Sequence, residues 1–68
     1  MDKEYLLNEI VRFIDKIKND YQDNRITKVK YYLMYKELGN LIKHSNDTVL
    51  LLLITKFNTI KTIYLIMK

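Results

Sequence analysis

His44 and Ser45 are the side chains of this sequence best suited to nucleophilic or acid–base chemistry, and they are neighbours in the chain. The sequence has one His and no Cys. A nucleophile needs a separate base and a group that orients it, and residues adjacent in sequence seldom point at each other. His44 is therefore predicted to be a turn residue, and the protein is predicted not to be an enzyme.

Carboxylates are the other groups that could carry chemistry, and most of them lie in the first third of the chain. They are expected to form a solvated helix face, with no pair placed to share a proton or a metal ion; these residues are Asp2, Glu4, Glu9, Asp15, Asp20 and Asp23. A structural zinc site is excluded because one His and no Cys cannot supply its ligands. No Gly-rich loop is present to hold a phosphate. The sequence thus predicts neither a metal nor a cofactor.

The charge of the chain is unevenly distributed. Its net value is +4, but residues 1–23 carry six acidic against four basic residues, whereas residues 24–68 carry two against eight. The second part, with a net charge of +6, is where an anionic partner would bind. Within it, lysines are interleaved with tyrosines, and Lys28, Tyr32, Tyr35 and Lys36 share a helix face that could stack on bases or grip a phosphate backbone. Tyrosines in such a pattern more often pack against a neighbouring helix with their hydroxyls at the rim, and this alternative is the favoured one.

The spacing of apolar residues predicts an all-α fold in one domain spanning residues 1–68. The first stripe repeats at intervals of three and four from Lys3 to Tyr21, and Asp2 can cap its start. A second helix is expected from about Thr27 to Lys43, with Val29 and Leu33 on its apolar stripe. Gly39 falls inside this helix, which usually indicates that another backbone passes close by.

A third helix is expected after the break His44–Asp47, capped by Ser45 or Asp47 and starting at Thr48. We expect it to continue to about Met67, because no Gly or Pro interrupts it. The β-branched residues near the end favour a short strand after Asn58 as the alternative.

The segment Tyr35 to Ile54 resembles the twenty-residue motif of the helix-turn-helix family. In that motif a small residue occupies the fifth place, where the two helices approach, and Gly39 stands there. Its fourth, eighth, fifteenth and eighteenth places are apolar and hold the helices together; here they are Leu38, Ile42, Val49 and Leu52. The resemblance implies a three-helix domain with a DNA-binding corner.

The sequence departs from the motif at two kinds of position. The ninth place, usually Gly, is Lys43, and the tenth, usually apolar, is His44. The outward places of the second helix of the motif are Leu50, Leu51 and Ile54, which cannot hydrogen-bond to base edges. Those three residues are predicted to form an oligomer or partner interface. If DNA is bound, the expected contacts are Arg25, Lys28, Lys30, Lys36, Lys43, Ser45, Asn46, Thr48 and Lys56.

The leading hypothesis is therefore a small helix-turn-helix-like regulator that binds duplex DNA as a homodimer. The alternative is a helical protein-interaction module, such as a phage or plasmid inhibitor or a self-assembling protein, without DNA binding. A third possibility is a helix lying on a membrane surface. We expect no integral span, because Lys56, Asn58 and Lys61 interrupt the apolar run, and no signal peptide, so a cytoplasmic location is predicted. The scarcity of Gly, Pro and Ala suggests an AT-rich genome.

Overall fold

The computed structural model describes residues 2–67, and within that range the chain forms three α-helices and no strand. Helix α1 is Lys3–Gln22, α2 is Lys28–Lys43 and α3 is Leu50–Met67. A single 3-10 turn, Ser45–Asp47, connects α2 to α3. The predicted all-α fold with a long C-terminal helix is confirmed. The alternative of a strand after Asn58 is wrong, since α3 continues unbroken to Met67.

The first two helices begin where short polar side chains can satisfy their free backbone amides. The Tyr5 backbone N–H donates to Asp2 Oδ1 at 2.8 Å, and the Lys30 N–H donates to the Thr27 hydroxyl oxygen at 3.1 Å. Between the helices, Asn24 adopts a positive φ of 61°, a conformation that Asn tolerates better than most residues. The predicted cap at Asp2 is therefore confirmed, and Thr27, predicted only as the approximate start of the second helix, is the cap of α2.

The start of α3 differs from the prediction. Ser45 is buried in the 3-10 turn instead of capping a helix, and the Thr48 hydroxyl donates to the His44 carbonyl at 2.7 Å. Helix α3 begins at Leu50, two residues later than expected. The Leu53 N–H, in its first turn, donates to the carbonyl of Val49, the residue before the helix. Thr48 and Val49, which the sequence had assigned to the first turn of the helix, lie between the 3-10 turn and α3.

The core lies between all three helices and is filled by one apolar stripe from each. Helix α1 contributes Leu6, Ile10 and Ile17; α2 contributes Met34, Leu38 and Leu41; α3 contributes Leu53, Phe57 and Tyr64; and Ile26 closes one end. Phe13 contacts the rings of Phe57 and Tyr64 edge-on, at centroid distances of 5.9 and 5.5 Å. Such edge-to-face contacts are a favoured arrangement of aromatic rings.

In the run Val49 to Ile54, the residues that face the core and those that face solvent differ from the prediction. Val49 and Leu52, expected to face inward, are 68% and 45% exposed. Leu53 is fully buried, and Leu50 and Ile54 pack partly against the core. Because successive helix residues turn by about 100°, burying Leu53 directs Leu52 away from the core. Val49 is exposed because it precedes the helix.

Helix α2 also differs from the expectation in two respects. Val29 and Leu33, assigned to its apolar stripe, are exposed. A Cβ atom built on Gly39 would meet nothing within 4 Å, so the predicted close passage of another backbone is wrong. The contact between α2 and α3 is made instead on the side of α2 that carries Met34 and Leu41.

Asp20 was expected on the solvated face of α1 but is buried. Its Oδ2 accepts a hydrogen bond from the Tyr64 hydroxyl at 2.5 Å. Lys16 Nζ lies 3.6 Å from the same oxygen, and Arg25 Nη1 lies 3.9 Å from Oδ1. Burial raises the pKa of Tyr64 above its ordinary value, and the hydrogen bond and negative charge of Asp20 raise that pKa further. The pair thus joins α1 to α3 through a buried, charge-assisted contact.

Candidate interaction surfaces

Helix α3 exposes apolar side chains on most of its circumference. Only Leu53, Phe57 and Tyr64 of its residues are buried. Leu51 and Ile66 are 76% and 79% exposed, and Leu52, Ile63, Leu65 and Met67 are also exposed. We call these six residues the α3 surface. An apolar helix of this kind is usually covered by another element, another molecule or lipid.

The threonines of α3 do not offset this apolar character. The hydroxyls of Thr55, Thr59 and Thr62 donate to the carbonyls of Leu51, Thr55 and Asn58, four residues earlier, at 2.9 to 3.0 Å. Each hydroxyl proton is therefore satisfied within the helix, and its methyl group is left to face a partner.

By length and composition alone, α3 is the single helix of residues 2–67 that could cross a membrane. Its 18 residues have a mean hydropathy of 1.5 and include two charged side chains, Lys56 and Lys61. Core helices and signal sequences meet the same criterion, so one helix of this kind is weak support for a span. The expectation of no integral span therefore stays a prediction.

A groove of about 480 Å³ runs between α2 and α3, beside the α3 surface. Its apolar lining includes Met34, Leu41, Ile60 and Ile63, and its charged lining is Glu37 on α2 and Lys56 on α3. Ile63 belongs both to this groove and to the α3 surface. The groove therefore adjoins the α3 surface at Ile63.

The outer side of α2 has a different chemistry. Helical spacing places Lys28, Tyr32, Tyr35, Lys36 and Lys43 on this side, and all five are exposed. We call these five residues, with Gly39 between them, the α2 face. A shallow depression of about 380 Å³ lies on it, and no carboxylate lines that depression. Glu37, the one acidic residue of α2, lines the groove against α3 instead.

The predicted DNA contacts divide according to where the structure places them. Lys28, Lys36 and Lys43 come together on the α2 face. Lys56 lines the groove between α2 and α3, and Asn46 is exposed at the 3-10 turn. Those five positions remain accessible to a partner.

The other four predicted contacts are less available. Ser45 is buried, and the Thr48 hydroxyl is engaged by the His44 carbonyl. Lys30 Nζ lies 5.7 Å from the centroid of the Tyr64 ring, and Arg25 lies near Asp20. These four residues therefore make contacts within the chain: Ser45 and Thr48 at the connection between α2 and α3, Arg25 in the loop between α1 and α2, and Lys30 within α2.

The predicted interface residues also behave differently from one another. Leu51 projects into solvent, whereas Leu50 and Ile54 are half-buried against the core. Ile63, Leu65 and Ile66, which are exposed nearer the C-terminal end, were not among the predicted interface residues. The signal that could have found them is the lack of a polar face on α3, visible in the sequence as apolar residues on every side of the helix.

No cluster of three or more metal-binding side chains occurs within residues 2–67. His44 is exposed at the C-terminal end of α2, as expected of a turn residue. The protein's accessible chemistry is thus that of surfaces: one apolar, on α3, and one basic and aromatic, on α2.

Comparisons with protein-family models, with curated proteins and with solved structures give no match to this chain.

Proposed function

We propose that this protein is a small non-enzymatic interaction module that works as a homodimer through the α3 surface and the adjoining groove, in the cytoplasm. The exposure of Leu51, Ile63, Leu65 and Ile66 carries the proposal. Fully burying a Leu or Ile contributes about 1.5–3 kcal/mol, so covering several of them offsets a substantial part of the cost of association. A chain of this size also has a small core, and oligomerisation commonly supplements one.

A second copy is the partner that the charges and shape of this region favour. The groove is an apolar recess, and Leu52 and Ile66 project from the neighbouring side of α3. The projecting side chains of one copy can therefore fill the groove of a second copy. In a dimer with twofold symmetry, each copy presents the same patch, so the patch must be complementary to itself. Glu37 and Lys56 place opposite charges on the two walls of the groove. A twofold axis can bring Glu37 of each copy opposite Lys56 of the other copy.

The proposal is tested by measuring solution mass with analytical ultracentrifugation. The unmodified chain should sediment as a dimer, and Leu52→Glu with Ile66→Glu should produce a monomer that keeps its helical circular dichroism. The matched control is Val29→Glu with Leu33→Glu, which places the same two charges at exposed apolar positions of α2. A monomeric unmodified chain, or a double variant that remains dimeric, would contradict the proposal.

A charge exchange tests the symmetric arrangement specifically. Glu37→Lys alone or Lys56→Glu alone should turn two attractive contacts per dimer into repulsive ones, weakening dimerisation about tenfold at low salt. Combining the two substitutions should restore the affinity. If the combined variant is no better than the single ones, the groove does not hold a second copy in this way.

A DNA-binding regulator is the second candidate, favoured by the exposure of Lys28, Lys36, Lys43 and Lys56. Such a protein would contact phosphates mainly, because Leu51 and Leu52, at the start of α3, offer no hydrogen bond to a base edge. A titration with mixed-sequence duplex DNA at low salt tests it. Absence of any salt-sensitive binding removes this candidate.

A further inference from the structure

The α2 face combines exposed aromatic rings with positive charge. Tyr32 is 66% exposed, and the Tyr35 ring is also exposed. The Tyr35 ring contacts Tyr31 at a centroid distance of 5.9 Å and a tilt of 55°, and Tyr31 in turn stacks on Tyr21 at 4.8 Å with an angle of 2° between the planes. The stack anchors one of the two exposed rings to α1. A supported ring loses little freedom when a second planar group packs on it.

The charges on this face all have one sign. Lys28, Lys36 and Lys43 are spread along the 16 residues of α2, so the first and last are about 22 Å apart at 1.5 Å per residue. No ion pair joins any of the three to a carboxylate within the described part of the chain. A polyanion lying along the helix would therefore meet three cations that form no ion pair with another residue between 2 and 67.

Gly39 lies in the middle of this face. Glycine inside a helix costs roughly 0.5–1 kcal/mol relative to alanine, and here no packing within the chain requires it. The missing side chain leaves the depression between the tyrosines and Lys43 open down to the backbone. A flat group can approach the helix most closely at this point.

From these features we infer that the α2 face binds single-stranded nucleic acid, with the three lysines on its phosphates and unpaired bases stacked on Tyr32 and Tyr35. The recurring basis of such binding is a positive track that follows the backbone and aromatic rings that take the bases. A duplex satisfies only the first requirement, since its bases are already stacked inside the helix. The site is separate from the α3 surface, so a dimer can hold one strand on each copy.

Fluorescence anisotropy with labelled mixed-sequence single-stranded DNA, and with RNA of the same sequence, tests the inference on the full chain. We expect salt-sensitive binding of at least one of these, with a slope of log affinity against log salt of about −2 for three phosphate contacts. Tyr32→Ala with Tyr35→Ala should weaken binding at least fivefold while leaving that slope unchanged. Lys36→Gln with Lys43→Gln should lower the magnitude of the salt slope by about 1.4, because two of the three phosphate contacts are lost.

Two control variants on α1 separate this site from general charge and aromatic content. Tyr5→Ala removes a ring of similar exposure, 54%, and Lys3→Gln with Lys18→Gln removes the same charge. Neither should change the affinity by more than twofold. Circular dichroism of each variant confirms that the helices are retained.

Three results would overturn the inference. One is the absence of salt-sensitive binding to either single strand. Another is a loss of affinity that is the same for the α1 variants and the α2 variants, since that reports net charge alone. The third is tighter binding to duplex DNA, or to vesicles of phosphatidylserine and phosphatidylcholine, with no sensitivity to the tyrosine substitutions.

Discussion

Replacing Tyr64 by phenylalanine removes one oxygen from the core and leaves the packing of the ring intact. The ring is fully buried and lies edge-on to Phe13, and the substitution keeps that contact. What is lost is the hydrogen bond to Asp20, a carboxylate that is itself buried. The change therefore isolates the polar link between α1 and α3 from the apolar core around it.

The magnitude follows from the charge and burial of the pair. A hydrogen bond to a charged group contributes about 1.5–3 kcal/mol to stability. The loss of free energy is larger when the acceptor is left unpaired in a site with little water. Lys16 and Arg25 remain within 4 Å of the carboxylate, but both are largely exposed, so they compensate weakly. We expect Tyr64→Phe to lower the free energy of unfolding by about 2 kcal/mol, which lowers Tm by roughly 8–16 °C for a domain of this size.

Chemical denaturation followed by circular dichroism measures the loss, with Tyr32→Phe as the matched control because that hydroxyl is exposed. The control should stay within about 0.5 kcal/mol of the unmodified protein. In an Asp20→Asn background the acceptor is neutral, so adding Tyr64→Phe should cost only about 0.5–1.5 kcal/mol. All five proteins should be compared at one concentration, since dimerisation would couple stability to concentration.

The reasoning is refuted if Tyr64→Phe costs no more than Tyr32→Phe. It is also refuted if the loss is equally large with Asp or Asn at position 20, because the hydroxyl would then act independently of the carboxylate charge.

Three further predictions rest on single side chains. The pKa of Tyr64 is raised in the folded protein, whereas an unfolded tyrosine ionises near pH 10. Between about pH 9 and about pH 11 the unmodified protein should therefore lose about 1.4 kcal/mol more stability than Tyr64→Phe. Parallel pH profiles of the two proteins in denaturant titrations would contradict this. Gly39→Ala should raise the free energy of unfolding by about 0.5–1 kcal/mol, because the added methyl group meets nothing in the fold and alanine makes the unfolded chain less flexible than glycine does. A lower Tm would show that Gly39 has a hidden contact. Leu53→Ala should cost about 2–5 kcal/mol, whereas Leu51→Ala, at an exposed position, should change folding stability little in the monomeric Leu52→Glu and Ile66→Glu background.

The parts of the fold that depend on neighbouring residues could be predicted from the sequence. Asp2 and Thr27 cap their helices with their own side chains, so the local pattern was sufficient to place both starts. Helix α3 was predicted with the right type and end but the wrong start. The 3-10 turn that displaces it depends on burying Ser45 among the helices, which no local pattern records.

The buried pair shows why a composition-based assignment of polar faces fails in a small core. Asp20 follows Ile17 by three residues, and this spacing alone places it on the apolar stripe of α1. Charge outweighed position in the prediction, because an unpaired carboxylate is rarely buried. Its partner Tyr64 is 44 residues away in sequence, so the compensation that makes burial tolerable could not be seen before the fold was known.

The same limit applies to the surfaces on which function depends. An apolar residue of α3 is inside or outside according to which stripe meets α1 and α2, and the apolar run Val49 to Ile54 offered several equivalent choices. Packing selected Leu53, Phe57 and Tyr64, and that selection left Leu51, Ile63, Leu65 and Ile66 without a covering element. Three helices of this length bury one side of α3 and no more. The apolar character that the other sides retain supports the proposed partner outside the chain, and the proposed interaction surface follows from the fold and not from a motif.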